Sequence, residues 1–582
     1  MCGIFLAISK KKIDKKKCFK VLENLKQRGP DEFKYSFFNK DKIFLCNTIL
    51  NITGLRNKNS KDLVESESKK FSIAFNGEIF NYKELARKIL KKKISKSVSD
   101  TKILIDLHDK INSRKIPLLL NGMFAYIIYD KKKSEFTIVN DSQGEKNLYM
   151  FRSNNEIVFS SNISSILKYK PQIKINNNVI KNYFLTRHLM PYNNTCYQGI
   201  KVLNPGSFFK IKLPKFNVHE DIFENPVDWI SEKKYKQYKK LTESETTKKI
   251  ENLLKKQAKI MIPDKKFGCI FSGGIDSSLQ SGIINSIKKP SILAVLHHEG
   301  KDNISKRINN FQKYFKTKIH KINITPAKYF NDLLLVYKIS KLPVYTHSVV
   351  GIHQISKFFK KKKCKVYFSA DGADELFGGY RIYSILDWFS KKLNLSPYSS
   401  INENIKKDIK FENHEYEKRL KDFKEKVKKK YSFLKNKQEI NIQSNLFCDY
   451  FLQAVKVGNA CNDLVGSNNS VEIRNIFIQK NVIKEIINIP AKYKINKKKN
   501  NENSLKIILK NLFTKYFEQK FIYNKQGFAG YPNEINSKSK IKFKNTVKLL
   551  GNKFVDKYKN FKDIEWKLIN INLFLQTIKK YK

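Results

Sequence analysis

The eight cysteines of this 582-residue chain, at positions 2, 18, 46, 196, 269, 364, 448 and 461, include no CxxC pair and no Cys/His set at ligand spacing. That absence excludes a disulfide framework or a zinc cluster as the basis of the fold and points to a reducing compartment, the cytoplasm. Long apolar runs are missing too: no stretch reaches the roughly 18 to 20 residues that a membrane span needs. The start, Met1-Cys-Gly-Ile-Phe-Leu-Ala-Ile-Ser, is shorter than a signal-peptide core and has no positive residue before it. Arginine is scarce. The formal charge of +62 is almost all lysine, in short runs such as Lys10 to Lys12, Lys360 to Lys363 and Lys497 to Lys499. A polyanionic partner is one reading of that charge, but arginine supplies most bidentate contacts to bases and phosphates, so solvated lysine faces explain it better and no nucleic-acid partner is expected. What the chain does have is material for a core, with 41% apolar and 13% aromatic residues. Its length calls for two domains.

The first 210 residues or so mix short strands and helices. Phe71 to Phe75 alternates and ends at Asn76-Gly77, Tyr82 to Lys91 has helical spacing, and Phe124 to Tyr129 with Phe136 to Val139 reads as a hairpin. This is an α+β pattern. After a polar stretch from 211 to 245 the rhythm changes: strands are expected at Phe267 to Phe271, Ser291 to Leu296, His320 to Ile324 and Lys365 to Phe368, with helices between. Such alternation predicts an α/β domain with a parallel sheet and ligands beyond the carboxyl ends of its strands. Residues 403 to 438 read as charged surface helices. The expected domains are 2–210 and 245–582.

Ile270-Phe-Ser-Gly-Gly-Ile-Asp-Ser-Ser278 lies where an apolar strand meets a helix, so its glycines let the backbone curl and its amides face an anion at the helix start. Asp276 in that first turn is a poor anion ligand alone, which implies Mg²⁺ between the carboxylate and phosphate oxygens. Ser369-Ala-Asp-Gly-Ala-Asp-Glu-Leu-Phe-Gly-Gly-Tyr380 follows another buried strand and brings three carboxylates to the same sheet edge. Near the amino terminus, Cys2 after Met1 would become, once the methionine is removed, a thiol beside a free α-amine, a nucleophile with its own base. Gln27-Arg-Gly-Pro-Asp31, Asn76-Gly-Glu-Ile-Phe-Asn81 and Ser99-Asp-Thr101 follow in order.

Taken together, these motifs resemble the glutamine-hydrolysing asparagine synthetase family: a class II glutamine amidotransferase domain of the four-layer N-terminal nucleophile (Ntn) fold, then an ATP-pyrophosphatase domain of the adenine nucleotide alpha hydrolase type. The resemblance implies that Cys2 attacks the glutamine amide, that Asn76 and the Gly77 N–H stabilise the oxyanion, that Asp100 pairs with the substrate α-ammonium and that Glu78 lines the pocket. Arg28 and Asp31 would fix the covering loop. In the second half it implies ATP as substrate, with Ser272, Gly273, Gly274, Ser277 and Ser278 on the pyrophosphate, Asp276 and Asp374 on Mg²⁺, and Ile270, Phe271, Val295, Ser369 and Ala370 around the nucleotide. Asp371 replaces a family glutamate near the reacting carbonyl, and Lys525, in Tyr523-Asn-Lys-Gln-Gly-Phe528, would be the transition-state cation. Val471-Glu-Ile-Arg-Asn-Ile-Phe477 and Lys506-Ile-Ile-Leu-Lys510 also match family segments. One departure concerns the family HxRLxI strand, here Asn47-Thr-Ile-Leu-Asn-Ile52: Ile49 cannot grip a glutamine α-carboxylate, leaving Arg56 as a substitute. The implied reaction amidates aspartate through an acyl-adenylate with ammonia drawn through an internal channel. A sugar uronic acid as acceptor, or a tRNA-modifying ATP pyrophosphatase, are the alternatives, and a homodimer is a further expectation.

Overall fold

The computed structural model describes all residues except 1, 55–60, 96, 186–192, 215, 299–303, 345, 385–402, 410–413, 497–503, 523–540 and 581–582. The amino-terminal part holds two six-stranded sheets. The first runs, in spatial order, Ile200–Val202, Tyr149–Arg152, Glu156–Ser160, Gly3–Ser9, Ile43–Ile49 and Glu32–Phe38; the second runs Asn217–Ile222, Ser207–Lys212, Glu135–Asn140, Gly122–Asp130, Phe71–Ile79 and Val64–Glu65. Every pairing within them is antiparallel.

Strand Gly3–Ser9 explains the packing. Successive side chains of a strand point to opposite faces. Ile4, Leu6 and Ile8 enter a core shared with Ala74, Ile127 and Ile138 of the second sheet. Phe5 and Ala7 face the other way, onto Val21, Leu22 and Leu25 of helix Lys15–Leu25. The second sheet repeats the arrangement, with Phe71, Ile73 and Phe75 against Ile103, Leu104 and Leu107 of helix Asp100–Lys110. Both faces of each sheet are therefore apolar, which is why these strands read as nearly continuous hydrophobic runs. Each such fully buried side chain contributes about 1.5 to 3 kcal/mol.

The sequence reading of 211 to 245 as a polar stretch is refined here. Ser207–Lys212 and Asn217–Ile222 extend the edge of the second sheet, and Glu232–Lys239 is a helix capped by the Ser231 side chain. An edge strand exposes one face and one row of backbone groups, so it tolerates the charged residues that made this segment look unstructured.

The carboxyl-terminal part is built on a five-stranded parallel sheet in the order Ile319–Ile324, Ile292–His298, Phe267–Ile270, Val366–Phe368, Glu472–Arg474. Phe267–Ile270 comes first in the chain yet lies in the middle, so the order reverses beside it. The loops after Ile270 and Phe368 open at that switch point, where ligands of such sheets bind. The two parts share apolar clusters: Leu50, Ile52, Phe80 and Met123 pack with Phe267, Phe368, Val455 and Ile476. Among the described residues no helix is long and apolar enough to cross a membrane.

Candidate active sites

Cys2 immediately precedes the strand Gly3–Ser9, and its thiol is held above its ordinary pKa by burial. Its backbone N–H donates to Asn76 Oδ1 at 2.9 Å. Asn76 is fully buried, and its Nδ2 has no hydrogen-bond partner among the described residues. An unpaired buried amide costs about 1 to 3 kcal/mol. An amide donor beside a thiol can stabilise an oxyanion formed there. Gly77 follows with φ +153°, and a Cβ there would collide with the Met123 carbonyl, so only glycine lets this strand bend past its neighbour.

Asn47, in the segment where the family resemblance breaks down, ties the two sheets together at this point. Its Nδ2 donates to the carbonyls of Gly3 at 3.0 Å and Phe75 at 3.1 Å, and its Oδ1 accepts from the Phe75 N–H at 3.1 Å. It thereby fixes the strand of Cys2 beside the strand of Asn76. Ile49 ends the strand that carries Asn47, is bridged to Pro30 and brings no charge; Arg56 lies outside the described residues.

Asp100 opens helix Asp100–Lys110 and is buried. It accepts from the N–H groups of Ile79 at 2.9 Å and Thr101 at 2.8 Å. Burial lifts its pKa to about 6, and those two N–H groups keep it from rising further. Glu78, also buried, lies 3.4 Å from the Arg474 guanidinium. Arg474 is shared, because its Nε donates to Glu472 at 2.8 Å. Burial opposes ionisation of both carboxyls, but Glu472, the nearer, is held below its usual range by Arg474 while Glu78 is pushed well above it. Glu472 and Arg474 belong to the edge strand of the other domain, whose Arg474 carbonyl accepts from the Ser369 N–H at 2.9 Å. The two candidate sites thus share one wall.

In the carboxyl-terminal half, Gly273 at φ +73° turns the chain out of strand Phe267–Ile270 and Gly274 caps helix Ile275–Ile287. Ser277 Oγ accepts from the Ser272 N–H at 3.0 Å and lies 2.8 Å from Ser272 Oγ, which closes the loop. Ser278 Oγ is buried with no hydrogen-bond partner among the described residues. Phe271 donates its N–H to the Ala294 carbonyl at 2.8 Å, keeping the loop in register with buried Val295 on the next strand; Ile270 ends its own strand. The side chain of Arg307 lies against Gly273.

Across the cleft, Ser369 Oγ donates to Asp371 Oδ2 at 2.7 Å, next to the partly buried Ala370. Gly372, at φ +84°, turns the chain into helix Ala373–Phe377, which carries Asp374. Asp276 and Asp374 converge on one cation: Lys506 Nζ lies 2.5 Å from Asp276 Oδ2 and 2.6 Å from Asp374 Oδ1. A Cβ at Gly379 would strike both Lys506 and Asp374, so that glycine makes the room. The Lys506 ammonium fills the point between the two carboxylates; such oxygen ligands also suit a hard divalent ion, which would take the place of that ammonium, and among the described residues no third His, Cys, Asp or Glu joins them.

The structure therefore gathers Cys2, Asn76, Gly77, Glu78 and Asp100 at one point, and the loops of Ser272 to Ser278 and Ser369 to Asp374 at another. Lys525 lies outside the described residues. Sequence reasoning assigned no role to Lys506, Arg307, Glu472 or Arg474. Only the family-like context of Lys506-Ile-Ile-Leu and of Val471-Glu-Ile-Arg could have marked three of them.

Two family models match this chain in separate stretches. Residues 1–220 match the glutamine amidotransferase domain family, and residues 249–550 match the asparagine synthase family. A Methanocaldococcus jannaschii protein, provisionally named a glutamine-hydrolysing asparagine synthetase, is 29% identical over 404 residues, 65% of this chain and 76% of that relative. The glutamine-hydrolysing asparagine synthetase 1 of Bacillus subtilis (strain 168) is 26% identical over 420 residues, 70% of this chain and 62% of its own length. That of Rattus norvegicus is 22% identical over 405 residues, 65% of this chain and 67% of the rat protein. Among solved structures, a B. subtilis glutamine phosphoribosylpyrophosphate amidotransferase matches 48% of this chain and 62% of its own at 15% identity and a TM-score of 0.28, too slight a likeness to bear on the fold.

Proposed function

This chain belongs to the asparagine synthase family, and from that premise we propose that it is a glutamine-hydrolysing asparagine synthetase. It would join a four-layer N-terminal nucleophile glutaminase to a parallel-sheet adenylating domain, with the division between the strand ending at Ile222 and the helix starting at Glu243. The observation that carries the reading is the pairing of an unsatisfied amide beside a buried thiol with an acidic phosphate cradle, the two separated by a single strand edge.

In the first site the Cys2 sulfur adds to the glutamine side-chain carbon. The oxyanion accepts from Asn76 Nδ2 and the Gly77 N–H, ammonia leaves, and water then releases glutamate from the thioester. Removal of Met1 would make the Cys2 nitrogen a free amine able to take the thiol proton. Asp100 pairs with the substrate α-ammonium, and Glu78 lines the pocket.

In the second site a carboxylate oxygen of aspartate attacks the α-phosphorus of ATP, and pyrophosphate leaves into the loop of Ser272, Gly273, Gly274, Ser277 and Ser278. Ammonia then attacks the acyl carbon and AMP departs. Mg²⁺, when bound, would neutralise the phosphate charge, with Asp276 and Asp374 holding it. Lys506 and Lys525 supply the remaining positive charge, and Asp371 lies next to the acyl group. Apolar Leu50, Ile52 and Met123, packed at the domain interface, suit a dry route for ammonia.

Incubation with ATP, Mg²⁺ and a panel of carboxylates, each with glutamine or with ammonium, tests the proposal. Aspartate-dependent release of AMP and pyrophosphate with formation of asparagine is expected. Turnover with a uronic acid and none with aspartate would change the acceptor; pyrophosphate release with no acceptor dependence would overturn the reading.

A further inference from the structure

Two consecutive side chains on one helix hold the two sites. Helix Ala460–Asn468 follows directly on a π-helical segment, Tyr450–Asn459. Asn462 Nδ2 donates to Asp371 Oδ2 at 2.9 Å, in the adenylating site. The next residue, Asp463, reaches into the other domain, where each of its carboxylate oxygens accepts from Arg28 Nη2 at 3.0 Å. Arg28 Nε in turn donates to the Cys2 carbonyl at 3.0 Å. Lys146 lies 3.8 Å from the same carboxylate. Just before the helix, Asn459 Nδ2 donates to the Gln143 carbonyl at 3.1 Å, again across the interface.

Arg28 and Asp463 are 1% and 3% exposed, so this bridge is fully desolvated. Burying two charges recovers little net stability compared with an apolar contact of the same volume, and what it does supply is fixed geometry. Here the fixed geometry ends on the backbone of the proposed nucleophile. The π-helical segment is the second relevant feature. Such segments are rare and recur at functional sites.

We propose that Asn462 and Asp463 are positioning residues that couple the two reactions. Engagement of Asp371 by the acceptor moves the helix through Asn462; Asp463 carries that movement through Arg28 to the Cys2 carbonyl, setting the thiol against the Asn76 and Gly77 donors. Glutamine hydrolysis then responds to the state of the adenylating site. The inference rests on the reading of Cys2 and Asp371 as reacting groups of one enzyme.

The test measures glutamate release, with separate kcat and KM, in the presence and absence of ATP, Mg²⁺ and aspartate. It uses the full-length protein and its Asn462→Ala and Asp463→Asn variants. A second readout needs no turnover: the rate at which iodoacetamide alkylates Cys2, followed by mass spectrometry. In the unaltered protein, ATP with aspartate is expected to change both rates by about fivefold or more, the lower range of site-to-site coupling. Asn462→Ala should reduce that change to less than about twofold. Asp463→Asn should abolish it and lower the kcat for glutamine with little effect on its KM, while ammonium still drives product formation. If Asp463→Asn does not fold, alkylation of the unaltered protein and of Asn462→Ala still decides the matter. Equal stimulation in Asn462→Ala and the unaltered protein, or alkylation indifferent to ATP and aspartate, overturns the coupling alone. Absence of both glutamate and pyrophosphate release overturns the enzyme reading and the coupling with it.

Discussion

In the amino-terminal half the candidate chemistry is held by neutral groups. A thiol, an unpaired amide and a glycine N–H are fixed by strand geometry and by Asn47, which ties two sheets together. In the carboxyl-terminal half it is held by charge: Asp276 and Asp374 face one another across Lys506, with serines and glycines around them. The first arrangement suits a small oxyanion that needs two well-aimed donors and no counter-ion. The second suits a polyphosphate, where charge must be neutralised as a bond breaks. The comparison teaches that a site can be nearly complete before its substrate arrives when its donors are backbone and amide groups. A site made of like charges needs a cation to hold it together.

The sharpest way to break this comparison is to remove each half's key group in turn. Cys2→Ala should lower glutamine-dependent synthesis by about a thousandfold or more, the scale of losing a covalent nucleophile, while ammonium-dependent synthesis continues. Equal loss of both activities would show that the halves are not separate. Asp276→Asn should lower acceptor-dependent pyrophosphate release by about a hundredfold or more, the scale of a lost charge at a phosphoryl-transfer site. Glutamate release should persist in that variant.

Asn76→Ala removes the unpaired donor and should lower glutamate release by about a hundred- to a thousandfold, mainly in kcat. A rise in KM alone would assign Asn76 to substrate binding.

The smallest expected effect is in pH. Burial raises Asp100 to about 6. Its charge is therefore present above pH 6 and lost below it, so kcat/KM for glutamine should fall about tenfold per unit below pH 6, with no matching limb from this group when ammonium is the donor. The stability sign is the reverse: a raised carboxyl favours folding below its unfolded-state value near 4, and that contribution is lost as the pH rises through about 6. A glutamine profile flat down to pH 5 would remove Asp100 from substrate binding.

What the sequence revealed follows the same division. Asn76-Gly77 and the Ser272 to Ser278 loop are legible because each is a local backbone solution: a strand that must bend past a neighbour, and a strand-to-helix turn closed by its own serines. The alternation in Phe71 to Phe75 likewise marked a strand, whereas Gly3–Ser9, buried on both faces, is a continuous apolar run with no alternation to read. Lys506 was hidden for a compositional reason, since a catalytic-looking lysine carries no signal in a chain with 115 lysines and arginines. Arg474 and Asp463 were hidden by distance along the chain: their partners Glu78 and Arg28 are hundreds of residues away, and no periodicity records such a pairing. The edge strand Asn217–Ile222 was missed because half its surface faces water.

The central claim, that one site makes the ammonia the other consumes, is tested most directly by isotope. The protein would be supplied with ATP, aspartate, glutamine labelled with ¹⁵N at its amide and a large excess of unlabelled ammonium. The account predicts that the amide of the asparagine formed carries ¹⁵N well above its share of the total ammonia pool. Label diluted to that share, or absent, would contradict it.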